Sequence, residues 1–276
     1  MATLANTLLG MLAAISLILL APFARAADRV LIVSIDALHP EALTKTVAPN
    51  LYTLMQSGRY TLDGRSVDPP KTLIAHTAMF TGLTPSQSGK RDNEWLPGDS
   101  VIDETTLFDD AKKSGYRTAF FYSKPKLGFL VNSAIDAHAL DPLGGIKQSA
   151  EALNSIGKTL VLLHLSGLEY AGADSGWLSP DYLTELTAID RALVPLFEQL
   201  RSSTSFAIIV TSDHGGHEKL HGTQHADDYK LPLIMLSDTA DAHSALALPT
   251  ETWPITNLRK LVGKFLDKGT PPVHLR

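Results

Sequence analysis

Five segments of the chain are almost uninterruptedly apolar: VLIVSID (30–36), TAFFYS (118–123), TLVLLHL (159–165), FAIIVTSD (206–213) and LPLIML (231–236). They do not alternate apolar with polar, which is how strands read when both faces of a sheet are covered. Between them the period changes to that of helices. PNLYTLMQSG (49–58) and ETTLFDDAKKSG (104–115) carry helical spacing and end on Gly, and TLIAHTAMF (72–80) contains no breaker. SPDYLTELTAIDRALVPLFEQLRSS (179–203) opens on Ser followed by Pro, a helix start, and Pro195 predicts a kink within it. NLRKLVGKFLD (257–267) predicts a last helix. Strands alternating with helices predict an α/β fold, a mostly parallel central sheet sandwiched by helices. In such sheets, functional groups collect at the carboxyl ends of the strands. Asp36 and Asp213 close two of the runs and Glu169 follows a third, so carboxylates far apart in sequence are expected on one rim.

The first residues follow a different pattern. LLGMLAAISLILLAPF (8–23) is apolar and uncharged, and ARA (24–26) offers small residues at the positions a signal peptidase reads. The run falls short of the roughly 20 residues a membrane-spanning helix needs. The expectation is a signal peptide at 1–26, with periplasmic or secreted localisation. Residues 27–276 are then read as a single domain, with no internal repeat and no convincing linker.

Composition mainly excludes. The chain has no Cys, which rules out disulfides, thiolate zinc sites, a cysteine nucleophile and an acylated lipoprotein cysteine. A net charge of −5 with no basic stripe argues against binding a nucleic-acid polymer. Histidine is the exception to an ordinary composition: 4 of the 10 His fall within TSDHGGHEKLHGTQH (211–225).

That stretch joins two others. Asp36 stands at a strand end in SIDAL (34–38). Thr72 stands in VDPPKTLIAHTAMF (67–80), at the start of the expected helix, where free N–H groups and the dipole favour an anion. An Asp at a strand end is commonly a loop or cap residue, and Thr72 serves equally as an N-cap. Together the residues say more. Zinc accepts His nitrogen and Asp oxygen, and a Thr hydroxyl bound to such a metal becomes a nucleophile without a neighbouring base. Asp36, Thr72, Asp213 and His214 suit one metal, with Thr72 attacking. Two such ions about 4 Å apart polarise a phosphoryl group and steady its leaving oxygen.

The order of these motifs resembles the alkaline phosphatase superfamily, and within it the type I phosphodiesterase/nucleotide pyrophosphatase family. The motifs are Asp at the first strand end, Thr72 with His76 four residues on, Thr81-Gly82, Ser212-Asp213-His214-Gly215 and His221-Gly222. KTLIAHTAMFTGLTPSQSG (71–89) follows the family pattern, with Ala75 where the family places Asn and Ser88 where it places a His. The resemblance implies an alkaline-phosphatase-like fold and hydrolysis of small-molecule phosphate esters through a phospho-threonine intermediate. It also implies two divalent metal ions, zinc foremost. Asp36, Thr72, Asp213 and His214 would hold or complete the nucleophile-side metal, Asn93 would help hold the phosphoryl oxygens, and His221 would serve the second metal.

The second metal's other ligands should come from HLSGLEYAGADSGWLSPDY (164–182). Aligned without a gap to the family's Asp-x-x-Gly-His-x-x-Gly, the Asp position is Glu169 and the His position is Ala173. Glu can ligate; Ala cannot. Asp174, His217 or His225 are candidates to stand in, or are simply solvated loop residues. A carboxylate-rich set would suit manganese as well as zinc. Three readings stay open: a hydrolase with an altered second site, a degenerate relative that binds one metal and an anion, or other superfamily chemistry such as phosphonate or sulfate-ester hydrolysis. A sulfatase is unexpected, since no Cys or Ser sits in a Cys/Ser-x-Pro-x-Arg setting. Between Asn93 and Tyr170 the sequence predicts one strand–helix unit and a loop (127–145), with Phe129 and Leu130 either lining a leaving-group pocket or packing in the core.

Overall fold

The computed structural model describes residues 26–143, 145–203, 205–239 and 252–266. The proposed signal peptide therefore lies, except for Ala26, outside the described residues. All five apolar runs are strands: β1 (Arg29–Ile35), β3 (Arg117–Tyr122), β5 (Thr159–Leu165), β6 (Phe206–Thr211) and β7 (Lys230–Ser237). Three further strands, β2 (Arg59–Arg65), β4 (Ala137–Leu140) and β8 (Trp253–Pro254), complete an eight-stranded sheet in the order β4-β3-β5-β1-β6-β7-β2-β8. β1, β3, β4, β5 and β6 run parallel, and β7 is antiparallel to both β6 and β2. The expectation of a mostly parallel sheet holds. The added strands lie toward the edges and are short or largely exposed, so they carry little of the continuous apolar signal that marks buried strands.

Side chains alternate across the central strands and build one apolar layer on each face. Val30, Ile32, Leu160, Leu162, Ala207 and Ile209 face a cluster shared with helix α2 (Thr72–Thr81), while Leu31, Val33, Val161, Leu163, Ile208 and Val210 face the opposite one. Every residue of α2 is buried, as expected of a helix apolar on nearly all sides. The other α-helices among the described residues are α1 (Pro49–Ser57), α3 (Pro85–Ser88), α4 (Leu107–Lys113), α5 (Ile146–Leu153), α6 (Gly167–Ser175), α7 (Pro180–Ala192), α8 (Val194–Arg201), α9 (Ala226–Tyr229) and α10 (Leu258–Val262). The predicted helix at 179–203 divides into α7 and α8, with Pro195 in the first turn of α8. Proline cannot supply the N–H needed in a helix interior but fits a first turn. The predicted final helix is shorter than 257–267, and its last position lies outside the described residues.

The stretch from Asn93 to Tyr170 holds more structure than one strand–helix unit. The expected loop at 127–145 contains β4, and α5 follows it. Leu130 is fully buried in the α2-side core and Phe129 packs against that core. Lys90 Nζ lies 4.4 Å from the Phe129 ring centroid.

Helix α1 has no side-chain cap from Ala48, its own N-cap residue. Asp190, fully buried on α7, supplies the acceptors instead, taking hydrogen bonds from Asn50 N (3.1 Å), Asn50 Nδ2 (2.7 Å) and Leu51 N (2.8 Å). Its charge also sits at the positive end of the helix. Asp190→Ala would leave those donors unpaired in the interior and is expected to cost about 2–4 kcal/mol. For a chain of this size that lowers the melting temperature by roughly 5–15 °C in a calorimetric scan. A shift under about 2 °C would mean the cap contributes little.

Candidate active site at the carboxyl rim of the sheet

In the sheet register Ser34 lies beside His164 on β5 and Thr211 on β6. The residues just past these positions therefore emerge side by side, and they are Asp36, Ser166 and Ser212-Asp213-His214. The turn after β1 is held firmly. Ala37 has φ 64, a left-handed conformation unfavourable for a residue with a Cβ. Its N–H donates to Asp213 Oδ1 (3.2 Å), and its carbonyl accepts from Tyr182 Oη (2.8 Å) and Trp177 Nε1 (3.3 Å). The next N–H, of Leu38, donates to Ser212 Oγ (2.9 Å). Trp177 and Tyr182 thus hold the backbone turn that follows Asp36.

Three polar atoms at this rim are buried and form no hydrogen bond: Asp36 Oδ1, Asp213 Oδ2 and His214 Nε2. They face one another, with His214 Nε2 3.3 Å from Asp36 Oδ1 and 3.6 Å from Asp213 Oδ2. A buried polar atom without a partner costs about 1–3 kcal/mol, so three in one place describe a site shaped for something else. The His214 ring is set for ligation, because its Nδ1 is 2.8 Å from the carbonyl of Gly215. A carbonyl can only accept, so Nδ1 carries the hydrogen and Nε2 points to the site. Burial pushes the His214 imidazole toward neutrality, but Asp213, Glu169 and Asp36 raise its pKa to about 10. For Asp213, burial favours the neutral acid and is outweighed by His214, His76 and Lys124, which lower the pKa. The carboxylates attract positive charge to this point, and the donor set of two carboxylates and one imidazole fits a divalent cation.

Thr72 adjoins this cluster as the first residue of α2, preceded by Lys71 at the N-cap, so its hydroxyl is not spent on capping. Asn93 caps the helix instead, accepting from Leu73 N (2.8 Å), which places its amide beside Thr72. His76, one turn into α2, lies 2.8 Å by Nδ1 from the Thr72 carbonyl and 2.9 Å by Nε2 from Ser34 Oγ. Burial lowers its pKa to about 4, so the neutral ring donates to the carbonyl and accepts from the serine. Thr72 Oγ1 is 3.4 Å from Glu169 Oε2, which in turn is 3.7 Å from His214 Nε2. Glu169 Oε1 lies 3.7 Å from His221 Nε2, and the His221 and His214 rings stack at 4.8 Å.

All seven residues expected from sequence therefore meet at one rim. Two more join them that the sequence reading overlooked. His164, on β5, is fully buried with Nε2 3.2 Å from Asp36 Oδ2 and Nδ1 2.9 Å from Ser123 Oγ. Lys124, two residues past the end of β3 and with its side chain 7% exposed, forms ion pairs with Asp36 Oδ2 (2.5 Å) and Glu169. Its Nζ donates to Thr72 Oγ1 at 3.1 Å. The rule that singled out Asp36 and Asp213, position at a strand's carboxyl end, points equally to Ser123-Lys124.

The proposed substitutes for the missing histidine are elsewhere. Ala173 and Asp174 are exposed on α6. His217 Nδ1 pairs with the buried Asp228 Oδ1 (2.6 Å) and its ring stacks on His225 at 3.9 Å. Asp228 Oδ2 also accepts from Thr223 N and Oγ1 (2.7 and 2.8 Å). His225 Nδ1 accepts from Asp227 N at the start of α9. These contacts tie down the loop that carries His221 rather than adding a ligand to the rim.

The sequence profile of the type I phosphodiesterase/nucleotide pyrophosphatase family matches residues 30–229. No curated protein sequence matches. Among solved structures, murine ectonucleotide pyrophosphatase/phosphodiesterase 5 superposes with a TM-score of 0.58 at 19% identity, covering 68% of this chain. The chain spans 57% of that protein's length. An inactive Thr-to-Ala variant of the same murine protein, in complex with AMP, superposes with a TM-score of 0.58 at 20% identity, over 68% of this chain and 57% of that one. The C-terminal periplasmic domain of the phosphoethanolamine transferase EptC from Campylobacter jejuni gives 0.62 at 15% identity, over 89% of this chain and 92% of that one. An alkaline phosphatase superfamily protein from Vibrio parahaemolyticus gives 0.61 at 15% identity, over 88% and 69%. At these identities the structural likenesses speak for the fold.

Proposed function

Since the chain belongs to the type I phosphodiesterase/nucleotide pyrophosphatase family of the alkaline phosphatase superfamily, we propose that it is an exported, metal-dependent hydrolase of small phosphate esters with Thr72 as nucleophile. The observation that carries this reading is the convergence of the unpartnered Asp36 Oδ1, Asp213 Oδ2 and His214 Nε2 beside Thr72. Asp36, Asp213 and His214 would hold one divalent cation, zinc or manganese, with Thr72 completing the set. Such a cation supplies positive charge to the phosphoryl oxygens and lowers the pKa of a hydroxyl bound to it.

The chain's own residues supply the rest. His76 and Asn93 fix the first turn of α2 and so aim Thr72 Oγ1. In the first step the Thr72 oxygen forms a bond to phosphorus and the bond to the leaving alcohol breaks. The Thr72 proton has Glu169 Oε2 as a neighbouring acceptor, at 3.4 Å, and the departing alkoxide takes up a proton. In the second step water adds to phosphorus and the Thr72 oxygen leaves. The amide of Asn93 stands beside Thr72, suited to hold a phosphoryl oxygen. The complex of the murine relative with AMP makes a nucleotide ester a reasonable first substrate.

Purified protein is expected to hydrolyse bis(p-nitrophenyl) phosphate with zinc or manganese present, to stop on treatment with a chelator, and to recover when metal is restored. Full activity in the chelated, metal-free protein would overturn metal dependence. A second reading, a relative that binds metal and anion without turnover, is favoured by Ala173 at the family's histidine position. No hydrolysis of diester, monoester or nucleotide by metal-loaded protein would select it. Export rests on the apolar leader and the small residues at 24–26, and an uncleaved N-terminus on protein recovered from cells would contradict it.

A further inference from the structure

We propose that the ammonium group of Lys124 takes the place of the family's second metal ion, so that the site works with one divalent cation and one built-in positive charge. The inference rests on the functional reading above and concerns the half of the site where the family pattern and this chain disagree.

The disagreement is specific. A catalytic zinc usually has three protein ligands, and here Ala173 contributes none. What remains is Glu169 and His221, whose facing atoms are 3.7 Å apart, and His214 Nε2, 3.7 Å from Glu169, a single nitrogen that the Asp36–Asp213 set also claims. Lys124 Nζ stands against Glu169 rather than leaving that carboxylate open. Its three partners are Glu169, Asp36 Oδ2 (2.5 Å) and Thr72 Oγ1 (3.1 Å). Glu169 belongs to the second metal's set and Asp36 and Thr72 to the nucleophile-side set, so the ammonium stands between the two, against the second metal's carboxylate and the nucleophile.

Asp36 divides its two oxygens accordingly. Oδ2 is taken by Lys124 and His164, while Oδ1 has no hydrogen bond and faces His214 and Asp213. The rim therefore has one vacant donor set and one filled by a side chain. An ammonium presents up to three N–H groups to oxygen acceptors, and displacement of Glu169 or addition of a phosphoryl oxygen would let it donate to substrate. The placement is also built. Lys124 lies two residues past β3, its side chain is buried, and Pro125 follows it at the start of a 3-10 turn. Glu169 then acts as the residue that positions Lys124, one methylene longer than the family's Asp and so able to reach across to it.

Metal counting decides the matter without reference to turnover. Wild-type protein, loaded with zinc and dialysed, is expected to retain one ion per chain by mass spectrometry, and two would overturn the proposal. Inorganic phosphate binding to the zinc-loaded protein, measured by calorimetry, should weaken about 10- to 100-fold in Lys124→Met, as expected for loss of one charge-assisted hydrogen bond. Unchanged phosphate affinity in a folded Lys124→Met protein would also overturn it. Lys124→Met keeps the length of the stem and so limits disturbance of the fold. If it nonetheless fails to fold, the wild-type ion count stands alone as the test. The double variant Lys124→Ala, Ala173→His should bind a second ion, because it removes the occupant and restores the third ligand. A folded double variant that binds only one would count against the proposal. One ion per chain and Lys124-dependent phosphate binding in a protein without hydrolytic activity would sustain this inference while sinking the enzymatic reading.

Discussion

Thr72→Ala is expected to lower kcat/KM for a phosphate diester by on the order of 10³-fold or more, since it removes the only proposed nucleophile. The variant should fold. The side-chain contacts of Thr72 Oγ1 are Lys124 and Glu169, which pair with each other without it. Ala is also the better helix former at an α2 position. Because Asp36, Asp213 and His214 are untouched, the variant should keep its metal ion, which separates loss of the nucleophile from collapse of the site. Thr72→Ser restores the hydroxyl and should restore measurable turnover. Acid-quenched wild-type protein incubated with substrate should yield a peptide phosphorylated on Thr72. Diester hydrolysis at the wild-type rate by Thr72→Ala would end the nucleophile assignment.

Asp213→Asn is expected to reduce retained metal to near zero after dialysis and activity by a comparable factor, on the order of 10³-fold. This substitution isolates ligation from architecture. Asp213 uses Oδ1 to hold the strained Ala37 turn and leaves Oδ2 in the site without a hydrogen bond. An amide can keep its oxygen on Ala37 N–H but presents N–H groups in place of Oδ2, and donors repel a cation. The fold, read by circular dichroism, should persist. Wild-type metal content in Asp213→Asn would show that the three unpartnered atoms do not form the metal site.

The residues that were legible in sequence share one property: they sit where local pattern and chemistry coincide. Asp36 and Asp213 follow long apolar runs, so the strand-end rule found them directly. Thr72, His214 and Asn93 came through motif order. His164 was hidden because a histidine inside TLVLLHL reads as part of a buried strand. Lys124 was hidden because a lone lysine after a strand ordinarily reads as a solvated loop residue. Its neighbours explain the difference, since Asp36 and Glu169 are 88 and 45 positions away in the chain. The spare histidines went the other way. His217 and His225, open in sequence between stand-in ligand and solvated loop residue, pair with Asp228 and the start of α9, and with Asp228 they make a three-donor group of their own.

The apolar runs by themselves determined a parallel α/β sheet with a carboxylate-bearing rim, because burial on both faces of a strand leaves a continuous signature that needs no partner to be read. The absence of Cys likewise excluded thiolate ligands, and the family resemblance puts an Ala, at position 173, where its pattern has a His. Only the tertiary structure decided which charges meet: strand order together with the placement of α2 and α6 brings Lys124, Asp36, Glu169 and Thr72 together, and pairing at a few ångströms depends on that arrangement, which no single segment encodes.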